Sequence, residues 1–133
     1  MKDPRRVSKL FYLWAPVLFD AALISFLSSF SFHDPLFLKV QKNNVDKLFH
    51  IVEYAVFGLL LARALWGHSS FWHRARRVFC TALFIGVLYG ALDEYHQRFV
   101  PYRESKASDL AADAIGVMAG AWLWIKKQKR AYA

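Results

Sequence analysis

Apolar residues run along this chain in four blocks of helical length, each closed by a polar or basic stretch. Residues 10–32 carry one charge, Asp20; residues 46–66 begin polar and turn apolar; residues 78–99 stay apolar until Asp93; residues 106–125 begin polar, with acids at Asp109 and Asp113, and end before Lys126. A helix rises 1.5 Å per residue, so about 20 apolar residues cross the hydrocarbon of a bilayer, and each block fits one crossing. The polar connection at 33–45 holds Asp34-Pro35 and Asn43-Asn44, and a Pro101 turn precedes the last block, where Ser105 or Ser108 is suited to cap the helix. Ser29-Phe30-Ser31 loosely resembles a signal-peptidase site, but the apolar run before it exceeds a typical signal core and reads as an uncleaved first helix. The expectation is an all-α, four-helix transmembrane bundle forming a single domain over residues 1–133.

Composition agrees. The chain is 56% hydrophobic and 17% aromatic, more apolar than a soluble surface of 133 residues permits. The formal charge of +8 would suggest nucleic acid in a soluble protein, but the basic residues lie between apolar runs and no nucleic-acid motif accompanies them. With four crossings both termini share one side. Twelve Lys and Arg fall on that side, counting the middle loop and Arg63, against six on the other. Basic residues gather at the cytoplasmic face, so both termini are expected inside. One cysteine, Cys80, excludes an internal disulfide and any multi-cysteine zinc site.

With that orientation, the polar residues inside the blocks collect at the outer ends. Asp46, His50, Glu53 and Tyr54 share a face of the second helix; Gly86, Gly90, Asp93, Glu94 and Gln97 line the third; Asp109, Asp113, Gly116 and Gly120 line the fourth. Glu53, Asp93 and Asp113 lie roughly 6–11 Å inside their helix ends. A carboxylate facing lipid costs roughly 3 kcal/mol or more, so these groups are expected to converge on one cleft. Adjacent Asp93 and Glu94 point about 100° apart, so one is expected to face the cleft and the other a base such as Lys47, Arg98 or Arg103. The Gly-x-x-x-Gly spacings on the third and fourth helices allow close backbone approach.

The residues Asp46-Lys47-x-x-His50-x-x-x-Tyr54-x-x-x-Gly58 resemble the first signature of the VanZ-like membrane proteins. Asp93-Glu94-x-x-Gln97-x-Phe99-x-Pro101-x-Arg103, with Asp109, Asp113 and Gly116, resembles the second, and Ser28-Ser29 is similar to that family as well. Tyr102 stands where Gly is usual and Asp113 where Asn is common. The resemblance implies a small multi-pass membrane protein of the cell envelope, with a link to teicoplanin resistance, and supplies no settled reaction.

From the residues, Glu94, Asp93, His50 and Asp109 are the candidates for acid/base chemistry. Asp46, Lys47, Glu53, Tyr54, Gln97, Arg103 and Asp113 are candidates for ligand binding, Arg103 and Lys47 as clamps for a phosphate or carboxylate. The expected partner is a membrane lipid or a lipid-linked envelope precursor. His50-x-x-Glu53 has the geometry for a metal, but with few nitrogens nearby no metal site is assigned and no cofactor is named. Two main readings follow: a binder of an envelope head group that affects glycopeptide susceptibility, and a membrane hydrolase or transferase acting on a lipid-linked phosphate. A transporter ranks last, since the inner halves of the helices offer almost no polar path.

Overall fold

The computed structural model describes residues 4–30, 45–67, 75–101, 103 and 105–131, and within them the chain is four α-helices with no strand. These are α1 (Pro4–Ser28), α2 (Val45–Trp66), α3 (Ala75–Gln97) and α4 (Ala107–Ala131). The turn residues at 34–35 and 43–44, the loop histidines His68 and His73, and Tyr102 lie outside the described residues. Helices α1 to α3 are long and apolar enough to cross a membrane; α4 does not reach that measure among the described residues.

The helix ends differ from the sequence expectation for local reasons. α1 starts at Pro4, six residues early, because proline in a first turn removes a donor that is unpaired there anyway. It stops at Ser28, where the hydroxyls of Ser28 and Ser29 donate to Ser25 O at 3.1 and 2.6 Å and compete with helical continuation. α3 ends at Gln97 in tight turns, Phe99 N–H to His96 O and Val100 N–H to Gln97 O, both 3.0 Å, ahead of Pro101. α4 runs on to Ala131, since Lys and Arg are good helix formers and favour a C-terminal turn. Lys126 and Lys127 fold back over the rings of Trp122 and Trp124, 4.5 and 5.9 Å from their centroids.

α2 and α4 form the closest pair, and they run parallel. Lys47 meets Asp109, His50 meets Asp113, and a Cβ on Gly116 would strike Ile51 O, three contacts descending both helices together. Small residues make the approach possible. A Cβ on Gly120 would collide with the Ala55 carbonyl, and one on Gly58 with the Val117 backbone. α3 packs against both, and α1 rests on α2 and only lightly on α3. Tyr54, Leu61, Val78, Ala82, Val117 and Ala121 are buried where α2, α3 and α4 meet. Phe11, Phe19, Phe84, Leu88 and Phe99 point outward, as a bundle in lipid requires.

Candidate functional site

At the end of the bundle where α2 and α4 begin and α3 finishes, five charged or titratable side chains come together. The Lys47 ammonium donates to Asp109 Oδ1 at 2.9 Å and to the Ser108 hydroxyl at 3.0 Å, from the rim inward. One turn deeper, His50 Nδ1 lies 2.8 Å from Asp113 Oδ1, with the Asp113 side chain almost fully buried. Asp113 packs so closely on α3 that a Cβ at Gly90 would sit 3.0 Å from its Oδ2. Glu94 reaches across from α3: Oε2 accepts the Lys106 amide at 3.1 Å, with the Ser105 hydroxyl beside the carboxylate. The Lys106 amide is one of the donors that a helix N-terminus leaves unpaired, so Glu94 fills the capping role expected of a serine. Its other oxygen, Oε1, is buried without a hydrogen-bond partner among the described residues. One ligand atom each from His50, Glu94 and Asp109 lies within 4.8 Å of the other two.

Asp93 turns away from this group, as the 100° step demands. Its Oδ1 accepts the Ser28 hydroxyl of α1 at 2.6 Å and its Oδ2 the Gln97 amide at 2.8 Å. Among the described residues it therefore pairs with no base, contrary to the expectation that one of the two neighbours would. Ser29 reaches His96 Nε2 at 3.1 Å beside it, and Tyr89 ties the same helices together through Ser25 (2.7 Å) and Ala21 O (2.5 Å). Gln97 is buried with Asp93, on the α1 side.

The remaining sequence candidates separate. Asp46 accepts the amide of Lys47 at 2.9 Å and so serves the first turn of α2. Glu53 is half-buried within electrostatic reach of His50, Asp93 and Asp113, with no hydrogen bond among the described residues. Tyr54 is fully buried, edge-on to Phe57, its hydroxyl without a partner among the described residues. Arg103 donates to the carbonyls of Phe30 and Leu27 at 3.3 and 3.4 Å, at the C-terminal end of α1 where a cation is favoured. It clamps the end of a helix, and Lys47 is the described cation in contact with the acids. Sequence reasoning missed the Lys106 amide and read Ser108 only as a possible cap, not as a partner of Lys47; the only signal was their position at the start of an acid-bearing helix.

A family model described as VanZ/LLP1 matches residues 5–128. Neither the comparison with curated proteins nor that with solved structures gave a match.

Proposed function

The chain belongs to the VanZ/LLP1 family, and on that footing we propose that it is a multi-pass protein of the bacterial plasma membrane whose polar pocket binds the head group of a lipid-linked envelope component. α4 supplies a fourth crossing, the termini lie in the cytoplasm with the basic helix ends, and the pocket opens at the outer leaflet. One observation carries this reading: Lys47, His50, Glu94, Asp109 and Asp113 are gathered from three helices at one end of an apolar bundle. Buried charge within a membrane is expensive, and its usual return is a binding site. Lys47 meets an anionic oxygen of the head group, and Glu94 Oε1, buried and unpartnered, accepts a hydroxyl or amide donor. Occupying such precursors at the outer leaflet changes how glycopeptides reach them.

A second reading, hydrolysis or transfer on a lipid-linked phosphate, draws on the His50–Asp113 pair. A carboxylate on Nδ1 fixes the ring so that Nε2 can act as a general base.

Mass spectrometry of the purified protein incubated with a membrane-lipid extract separates the two. Wild type retains a lipid-linked species, and Glu94→Gln retains it about 10–100-fold less well, the loss expected for one charge-assisted hydrogen bond of about 1.5–3 kcal/mol. A lipid released with a shortened or exchanged head group establishes the enzymatic reading. Equal retention by wild type and variant, with unchanged glycopeptide susceptibility of cells carrying them, rules out the binding one.

A further inference from the structure

We infer that His50, Glu94 and Asp109 bind a divalent first-row transition ion. The three residues come from α2, α3 and α4, and each offers one ligand atom within 4.8 Å of the others. Bonds of about 2.0–2.2 Å would draw these atoms to about 3–3.5 Å apart, a closure that side-chain rotation can supply.

Three further observations point to an ion. The first is Glu94, only 6% exposed, whose Oε1 has no hydrogen-bond partner while Oε2 is held by the Lys106 amide. A buried carboxylate oxygen left without a donor is costly, and coordination removes the deficit. The second is the hydrogen bond between His50 Nδ1 and Asp113 Oδ1, 2.8 Å. A carboxylate on one ring nitrogen is how metal-bound histidines are held, with the lone pair of the other nitrogen presented to the metal. Lys47 likewise occupies only Asp109 Oδ1 and leaves Oδ2 available. The third is charge. With His50 neutral and the carboxylates of Glu94, Asp109 and Asp113 ionised, the acids outnumber the ammonium of Lys47, the cation the described residues place in contact with them. A divalent ion cancels that excess.

One imidazole and two carboxylates make a mixed nitrogen–oxygen set suited to Zn²⁺ or Mn²⁺. Such an ion also reconciles an acid-rich pocket with a phosphate-bearing head group, because it reverses the local charge. The inference shares its pocket with the proposed function but needs no lipid, so the two are tested apart.

The full chain, purified in detergent and stripped with EDTA, is titrated with MnCl₂ while the signal of free Mn²⁺ is followed by electron paramagnetic resonance. The expected result is one saturable ion per chain, displaced by Zn²⁺. Asp113→Asn weakens binding by about 10–100-fold, as loss of an outer carboxylate does elsewhere, and Glu94→Gln weakens it at least as much. Glu94→Asp keeps part of the affinity, and Asp20→Asn on α1 binds like wild type. Each variant is first shown to be folded by gel filtration and helical circular dichroism; Asp109→Asn replaces Glu94→Gln if the latter fails. No saturable Mn²⁺ or Zn²⁺ binding by folded wild type, or equal weakening by Asp20→Asn and Glu94→Gln, overturns the inference. Lipid retention by wild type, measured both in EDTA and in saturating MnCl₂, is the separate readout: retention in either condition supports the head-group reading whatever the metal titration gives, and retention in neither overturns that reading alone.

Discussion

Pro16 sits inside α1 and has no amide hydrogen to give, so the carbonyl of Tyr12, one turn earlier, loses its helical donor. Arg63 of α2 supplies one. Both of its terminal nitrogens lie 3.4 Å from Tyr12 O, and its guanidinium stacks 4.5 Å from the centroid of the Tyr12 ring. Arg63→Ala is expected to lower stability by about 1 kcal/mol, the usual net worth of a hydrogen bond. In a Pro16→Ala background the restored amide satisfies Tyr12 O, and the cost of Arg63→Ala falls. A double-mutant cycle on thermal unfolding in detergent measures the coupling, and strictly additive losses would show that the proline and the arginine act independently. From the sequence Arg63 was legible only as one positive charge among the cytoplasmic set. The same limit applies to Asp93 and Glu94. Their 100° separation follows from helical geometry, whereas the absolute rotation of α3, which gives Asp93 to Ser28 and Glu94 to α4, depends on neighbours that no local pattern encodes. Arg103 was unreadable for a related reason. Its partners are backbone carbonyls at the end of α1, groups common to every residue and therefore silent in a sequence.

At the level of the helices, the number and rough extent of the elements were legible because lipid imposes a minimum apolar length. The ends were read less well, since capping by Glu94 and by serine hydroxyls depends on distant or competing hydrogen bonds. The glycine spacing did forecast close approach, and the structure ranks the positions. At Gly120 and Gly58 the obstacle to a Cβ is backbone of the opposite helix, which cannot step aside. At Gly86 it is the Val117 side chain, stiff and buried but able to give more than backbone can. Overpacking a tight interface costs about 1–3 kcal/mol, so Gly120→Ala and Gly58→Ala should fall at or above the upper end and Gly86→Ala below it. Melting temperatures of the three variants in one detergent check the order. Gly86→Ala as the most damaging of the three would mean that α2 and α4 are not the tightest pair. Because the same α2–α4 contact aligns Lys47 with Asp109 and His50 with Asp113, Gly120→Ala should also weaken whatever the pocket binds.

For the molecule as a whole, the two ends of the bundle differ in character. Arg63, Lys126 and Lys127 lie against aromatic rings at one end, and the buried acids occupy the other. Basic and aromatic residues together suit a membrane interface on the cytoplasmic side. The acids explain why α4 falls short as a span by composition: Asp109 and Asp113 and the basic last turns lower its apolarity, yet both acids are turned inward, away from any lipid. Shielded in this way, a helix with two carboxylates can cross a membrane that an isolated one would not enter. α4 packs along α2, a helix that does have the length and composition of a span, over most of its course, so if α2 crosses, α4 crosses with it. Single cysteines at Ser108 and Lys129, each in a Cys80→Ser background, decide the matter. A membrane-impermeant maleimide added to intact cells should label Ser108→Cys and leave Lys129→Cys unreacted until the membrane is opened. Labelling of both from one side would put the two ends of α4 on the same face of the membrane, and the outward-opening pocket would have to be abandoned with it.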